Sequence, residues 1–287
     1  MQLRAEGALE LDDPIATYLD SSLLQGLHVY EGQEYSYDLT IRQLLAHTTG
    51  LPDYFEGEGS NGRSLKDEMV SGHDRFFSFA DILARTRAMT PHFAPGTPGK
   101  AHYSDTNYQL LGKVIEALTG ESYAANGKAR IIDPLGLTHT YLYQDSTDQK
   151  PYLFYAKSAP LHIPQSMVSF GPDGGIVSTS KELLAFTRAF FTGQLFPTAY
   201  LAEMQSWNDL FTPMQAGVGV QRLNLPWYFD PTGIAPELIG HVGLSGVVAY
   251  YSPEEDLFIV GTVNQLAHPE VAIQTLLKLI GVARRAA

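Results

Sequence analysis

The chain has 287 residues, of which 44% are hydrophobic and 17% charged, and its formal net charge is −12. These values are typical of one large globular domain, or of two closely packed ones, and they exclude a disordered protein. The negative charge argues against nucleic acid as a partner, because a phosphate backbone needs a basic protein face. The sequence contains no cysteine, which excludes disulfides, thiolate metal sites and cysteine nucleophiles.

The sequence shows no membrane-spanning or targeting segment. No apolar run approaches the roughly 18 residues that a membrane helix needs. The first residues, MQLRAEGALELDDP, lack the apolar stretch of a signal peptide. As it stands the chain is therefore expected in the cytoplasm, although its compartment stays open because any signal would lie in a part of the protein not seen here.

Helical patterns fill much of the first two thirds of the chain. Thr40 is predicted to cap a short apolar helix, Ile41 to Ala46, and Ser78 is predicted to cap a second helix, Phe79 to Met89. The clearest helix has apolar residues at helical spacing and is closed by Gly120. Its apolar positions are Leu110, Leu111, Val114, Ile115 and Leu118.

The last part of the chain changes from helices to strands. After a helix from Lys181 to Phe191, short β-rich runs are predicted at Leu238 to Leu244, Val247 to Tyr251 and Phe258 to Val263. A hairpin joins the last two runs, and an amphipathic helix follows them to about Val282. This order predicts the α/β (α+β) fold class: an antiparallel sheet flanked by helices, with an inserted helical region between about residues 40 and 180.

Several segments along the chain together carry a family pattern. They are EGALELDDPI (6–15), TIRQLLAHTTGLPDY (40–54), PGTPGKAHYSDTNYQLLGKVIEALTG (95–120), DPLGLTHTYL (133–142), DGGIVSTSKELLAF (173–186) and GHVGLSGVVAYYSPEEDLFIVGTVNQ (240–265). In this order they resemble the penicillin-recognising serine hydrolases, which comprise the serine β-lactamases, the DD-peptidases and related esterases. The resemblance, which is to the class C β-lactamase type, implies a β-lactamase/transpeptidase-like fold in a single domain over residues 1–287.

The family's second motif, Y-x-N or Y-S-x, is matched by Tyr103-Ser104-Asp105. The resemblance implies that Tyr103 is the catalytic acid or base and that Ser104 and Asp105 bind the substrate. A tyrosine hydroxyl titrates near about 10, so it is a useful base only where nearby cations lower its pKa. Asp105 stands where the family often has Asn. An ionised Asp only accepts hydrogen bonds, so it suits a lysine partner and repels a substrate carboxylate.

The family's third motif, H-x-G on an inner strand, is matched by His241-Val242-Gly243. The resemblance implies that His241 is catalytic and supplies positive or hydrogen-bonding character beside the tyrosine. Gly243 would leave room for a substrate to lie along the strand. The resemblance further implies that the N–H of Leu244 is one half of an oxyanion hole, which needs two convergent donors.

The family's first motif, S-x-x-K, has no match in its expected place. In the family it precedes the E-G-x-L-x-L-D-D-P-I segment, which is Glu6 to Ile15 here. We therefore expect the nucleophile, its helix and the family's N-terminal strands to lie ahead of Gln2. The tetrapeptide Ser178-Thr179-Ser180-Lys181 fits the pattern, but it opens a helix, so we interpret Ser178 or Ser180 as an N-cap.

The remaining histidines are interpreted as structural. His47 is expected to end its helix, without a chemical role. His92 and His102 lie ten positions apart in a loop and resemble no zinc motif. We therefore expect neither a metal ion nor another cofactor.

Two functions of different classes remain open. The first is a serine hydrolase that acts on small amides or esters, such as D-amino peptides, carboxylic esters or β-lactams, through an acyl-enzyme. The second is a non-catalytic remnant or binding module, because the nucleophile segment is absent. In both cases the expected partner is a small molecule, and an exposed sheet edge is expected to allow self-association.

Overall fold

The computed structural model describes residues 1–59, 62–223, 225, 236–268 and 270–286. Its α-helices are, in chain order, α1 (Gln2–Ala5), α2 (Ser21–Leu24), α3 (Ile41–Leu45), α4 (Leu65–Val70), α5 (Phe79–Arg87), α6 (Asp105–Thr119), α7 (Tyr123–Gly127), α8 (Pro164–Ser169), α9 (Ser180–Phe191), α10 (Tyr200–Met204) and α11 (Glu270–Ala286). Its strands are β1 (Val29–Tyr30), β2 (Gln33–Glu34), β3 (Tyr141–Leu142), β4 (Phe154–Ala156), β5 (Ala159–Leu161), β6 (Ile176–Val177), β7 (Asn208–Phe211), β8 (Met214–Ala216), β9 (Gln221–Leu223), β10 (Leu238–Val242), β11 (Val247–Ser252) and β12 (Leu257–Thr262).

The helix starts before α3 and α5 lie where the sequence predicts them. The side chains of Thr40 and Ser78 each accept a hydrogen bond from the backbone N–H of the third residue of their helix. The side chain of that third residue accepts a hydrogen bond from the backbone N–H of the cap residue. These reciprocal bonds satisfy backbone N–H groups that a helix start leaves without partners. The helix ends were predicted less well, because α3 stops at Leu45 and α5 at Arg87.

The start of α9 differs from the prediction. Thr179, and not Ser178 or Ser180, is its N-cap, and its side chain accepts a bond from the N–H of Glu182. The hydroxyl of Ser178 lies 2.8 Å from that of Thr140 instead. The serine in this S-x-x-K tetrapeptide is therefore part of an exposed helix start.

The predicted helix before Gly120 is confirmed as α6. Gly120 adopts the left-handed conformation, with φ of 71°, and its N–H donates to the carbonyl of Glu116. Leu110 and Val114 are fully buried on the inner side of α6, in a cluster with Leu44 of α3. This packing fixes the first turn of α6 relative to the segment that follows α3.

The largest sheet has six strands, all antiparallel, in the order β12-β11-β10-β9-β8-β7. The sequence predicted the three strands β10, β11 and β12. It missed β7, β8 and β9, which are only three or four residues long. Pro213, Gly217 and Gly219 interrupt this stretch, so no regular alternation marks it as a strand region.

Helices cover both faces of this sheet. Phe191 of α9 lies against Tyr251, with ring centroids 5.0 Å apart. On the other face, Tyr250 packs in one apolar cluster with Leu276 and Ile280 of α11. The fold class predicted from the sequence, an antiparallel sheet flanked by helices, is thereby confirmed. In the described part of the chain, no helix is both long and apolar enough to cross a membrane.

Candidate active site

The first turn of α6 and the end of β10 meet at a cleft of about 1410 Å³. Tyr103 and Asp105 line it from the side of α6, and Gly243 and Leu244 line it from the side of β10. The structure therefore brings four of the predicted site residues into one cavity. The other two, Ser104 and His241, are not among the described residues of its lining.

Tyr103 stands two residues before Asp105, and the phenol and the carboxyl are close enough to influence each other's pKa. Burial, followed by the negative charge of Asp105, raises the pKa of the Tyr103 phenol well above its ordinary value. The charge of Asp53 acts in the same direction. The phenol is therefore protonated at neutral pH and is not available as a base, so the role left to it is to donate its proton.

Three carboxyl groups interact in this region: that of Asp53 is buried, and those of Asp105 and Asp173 are half-buried. Burial is the main cause that raises the pKa of Asp53, Asp105 and Asp173 above the ordinary range. The charges of Asp53 and Asp173 raise the pKa of Asp105 further. Asp173 also accepts a hydrogen bond of 2.6 Å from the hydroxyl of Tyr54.

The lysine and the arginine in the described lining of the cleft are bound to other groups. Lys66 Nζ lies 2.6 Å from Glu56 Oε1. Arg85 donates through Nε to the carbonyl of Tyr54 at 2.8 Å and through a terminal nitrogen to that of Gly57 at 2.9 Å. Neither of these two cations of the described lining is therefore paired with Asp105, and a cationic occupant of the cleft would stabilise the ionised form of this carboxyl.

A tight turn carries Gly243 and Leu244 from the end of β10 to the start of β11. The Gly243 N–H donates to the carbonyl of Val247 at 2.8 Å, and the Gly246 N–H donates to that of Gly243 at 2.9 Å. Gly246 has a φ of 76°, a conformation that glycine adopts without strain. These bonds hold the backbone of Gly243 and Leu244 rigidly at the edge of the cleft.

His241 is placed behind the cleft and is neutral. Its Nδ1 lies 2.8 Å from the carbonyl of Val242, to which it donates, so the lone pair of the neutral ring is on Nε2. Burial lowers the pKa of His241. The sequence predicts that His241 supplies either a positive charge or a hydrogen bond, and its surroundings favour the hydrogen bond.

Ser104 holds the start of α6 in place. It is fully buried; its N–H donates to Nδ1 of His47 at 3.1 Å, and its hydroxyl donates to the carbonyl of Pro52 at 2.9 Å. Sequence reasoning missed His47 and Asp53 as parts of this site. Both lie in the segment 40–54 that carries the family resemblance, but the bond from Ser104 to His47 spans 57 positions, which no local pattern shows.

The described residues include no group of three or more His, Asp or Glu arranged to hold a metal ion. His92 and His102 do lie in the lining of the cleft, with ring centroids 3.6 Å apart. Burial lowers the pKa of both, that of His102 to about 4. Both rings are therefore neutral at physiological pH.

Comparison with known proteins identifies the family. The model of the beta-lactamase family matches residues 1–282. The chain belongs to the beta-lactamase family. This beta-lactamase family member resembles a protein named as a penicillin-binding protein, PbpX of Bacillus subtilis (strain 168), with 25% identity over 275 residues, which are 92% of this chain and 61% of PbpX.

Two further relatives have names that describe an activity. The teichoic acid D-alanine hydrolase of Staphylococcus aureus is 29% identical over 155 residues, which are 54% of this chain and 30% of that protein. The crystal structure of a D-stereospecific amidohydrolase from Streptomyces sp. superposes with a TM-score of 0.71 and 26% identity, over 93% of this chain and 78% of that one. The chain thus spans about three fifths or less of the length of these curated relatives.

Proposed function

We propose that this beta-lactamase family member provides the proton-donating and substrate-binding part of a serine hydrolase site that acts on small amides or esters. The observation that carries the proposal is the shared cleft. Tyr103 and Asp105 at the start of α6 face the same cavity as Gly243 and Leu244 at the end of β10. Acyl transfer needs a proton donor and an oxyanion donor on opposite sides of one carbonyl group, which this arrangement supports.

In the proposed reaction, a serine oxygen attacks the carbonyl carbon of the substrate and forms an acyl ester, which water then hydrolyses. The N–H of Leu244 donates to the developing oxyanion. The phenol of Tyr103 gives its proton to the departing amine or alcohol and takes up the proton of the attacking serine hydroxyl; in the second step it takes up a proton of the attacking water and returns one to the serine oxygen. None of the described residues that line the cleft is a serine, so we assign the attack to no residue of this lining.

We further propose that the preferred substrates carry a free amino group near the scissile bond. An ammonium group bound beside Asp105 would stabilise the ionised form of this carboxyl, whose pKa is raised, whereas a substrate carboxylate would not, so the cleft favours an ammonium group. A D-alanyl ester or a D-amino acid amide has such an ammonium group. The Staphylococcus aureus relative is named for the hydrolysis of D-alanine from teichoic acid and the Streptomyces relative for D-stereospecific amide hydrolysis, and both names support the proposal.

The substrate preference can be tested with a charged and a neutral substrate of the same shape. D-alanine p-nitroanilide carries an ammonium group, and N-acetyl-D-alanine p-nitroanilide does not. We expect the first to have the higher kcat/KM and Asp105→Asn to reduce that preference about 10-fold, since it removes one charge-assisted contact. Glu254→Gln, which removes one charge at an exposed position, is the matched control and should leave the preference unchanged.

A binding module is the second candidate, and the absence of serine from the described lining of the cleft favours it. In that case the same amines would bind without being hydrolysed. Calorimetric titration with D-alanine amide, combined with product analysis after prolonged incubation, separates the two functions. Binding that Asp105→Asn weakens, with no product released, would establish the binding module in place of the hydrolase.

A further inference from the structure

His47 is held by hydrogen bonds from both its backbone and its side chain. Its carbonyl accepts from the N–H of His102 at 2.8 Å, one position before Tyr103. Its Nδ1 accepts from the N–H of Ser104, one position after Tyr103, at 3.1 Å. The catalytic tyrosine of the proposed site is therefore bracketed on both sides by bonds to a single residue.

The hydrogen bonds also fix which ring nitrogen of His47 carries the proton. A backbone N–H can only donate, so Nδ1 must offer its lone pair to Ser104. The amide nitrogen of Asn107 lies 3.2 Å from the same Nδ1, and the amide oxygen of Asn107 accepts from the hydroxyl of Thr49. The hydrogen of the neutral ring therefore sits on Nε2, which is buried and has no hydrogen-bond partner among the described residues.

The imidazole of His47 also sets the plane of the Tyr103 ring. The two rings are stacked, with centroids 4.5 Å apart and 30° between their planes. The ring of Tyr108 lies 5.3 Å from the imidazole, so two tyrosines pack against it. Only 2% of His47 is exposed, and rotation of its ring would break the bond from Ser104.

The surroundings of His47 keep its imidazole neutral. Burial is the main cause that lowers its pKa, to about 3, and charge on His241 or His102 would lower it further. A neutral ring keeps the lone pair of Nδ1 available to Ser104 throughout the physiological pH range.

We propose that His47 is a positioning residue of this site, which fixes the phenol of Tyr103 through the bond from Ser104 to its Nδ1 and through the stacked rings. The inference rests on the proposed hydrolase function, but it adds a role that the sequence motifs do not assign. His47 has a φ of 56°, which only glycine and asparagine replace without strain. These two residues therefore make a matched pair of variants.

His47→Asn keeps an acceptor for the Ser104 N–H, whereas His47→Gly removes both the acceptor and the ring. For His47→Gly we expect kcat on D-alanine p-nitroanilide to fall about 10²-fold with little change in KM, because a small displacement of a reacting group has effects of this size. His47→Asn should recover most of that loss and should retain the slow hydrogen exchange of the Ser104 amide. A folded His47→Gly variant with the kcat of the wild type would overturn the proposal.

A second readout separates this proposal from the hydrolase function itself. Tyrosine 13Cζ chemical shifts report the surroundings of each phenol, so that of Tyr103 can be compared in the same variants at neutral pH. If the wild type hydrolyses no substrate, the hydrolase function fails, but the position of Tyr103 is still tested. We expect His47→Gly to shift this resonance and His47→Asn to shift it less. An identical Tyr103 resonance in all three proteins would contradict the role of His47.

Discussion

Gly112 of α6 and Pro172 meet so closely that a Cβ atom on residue 112 would lie 2.1 Å from Cγ of Pro172. Pro172 immediately precedes Asp173, whose carboxyl accepts from Tyr54 beside the cleft. The missing side chain at position 112 thus lets the loop that carries Asp173 pack onto α6, the helix that also presents Asp105. The close contact therefore couples the positions of the Asp105 and Asp173 carboxyl groups.

We predict that Gly112→Ala destabilises the fold by about 1–3 kcal/mol, because the added methyl group has no room against Pro172. Gly127→Ala is the control, since residue 127 has helical backbone angles and open space around its Cβ position. That change should stabilise the protein by about 1 kcal/mol, as alanine is the better helix former. Urea unfolding of both variants measures the difference, and equal stabilities would show that the contact with Pro172 is unimportant.

The free energy of unfolding should depend on pH in part because of the buried carboxyl group of Asp53. Its pKa is raised from 3.8 to about 7, mainly by burial, so between these values the folded state binds more protons than the unfolded state. This group therefore favours folding at low pH and opposes it as the pH rises. In the wild type, Asp53 Oδ1 accepts a hydrogen bond from the N–H of Phe55 at 2.8 Å. The side chain introduced by Asp53→Asn cannot ionise, but its amide oxygen can accept the same bond.

We expect Asp53→Asn to be more stable than the wild type by about 1–2 kcal/mol at pH 8, with the advantage disappearing by pH 4. Comparing urea unfolding of the two proteins at each pH cancels the contributions of all other titrating groups that the substitution leaves unchanged. A difference in stability that does not vary with pH would mean that folding does not raise the pKa of Asp53.

The fold shows why some elements could be predicted from the sequence and others could not. The helix α6 combines an uninterrupted apolar pattern with a glycine end signal, both of which are local. The strands β7, β8 and β9 are shorter than the window in which alternation can be recognised, and they join the sheet through the pairing of β9 with β10. Their existence is therefore a consequence of tertiary structure.

The same division applies to the candidate site. Tyr103, Asp105 and Gly243 were identified because the family motifs fix their positions. The role of His47 depends on a bond from Ser104, and that of Asp53 depends on the charges of Asp105 and Asp173. Such contacts arise only when distant segments fold together, so the sequence alone assigned His47 no chemistry.

Self-association is expected through β12, the edge strand of the sheet, which pairs only with β11 in the described part of the chain. An unpaired strand edge can add a strand from another molecule, and a lysine placed on it opposes such pairing. Thr262→Lys, at an exposed position of β12, should therefore shift the protein towards monomer in size-exclusion chromatography with light scattering. Thr275→Lys changes the charge by the same amount at an exposed position of α11, and it should leave the oligomeric state unchanged. If both variants behave like the wild type, β12 is not the interface.

The central claim is that the cleft around Tyr103 supplies the proton donor and the substrate-binding part of an acyl-transfer site, and hydrolysis of D-alanine p-nitroanilide by three proteins tests it most directly. We predict turnover above the buffer rate for the wild type, the same rate for Ser178→Ala, and a loss of about 10²-fold for Tyr103→Phe, which removes the proton donor. Wild-type hydrolysis that persists unchanged in Tyr103→Phe, or that disappears in Ser178→Ala, would contradict the account.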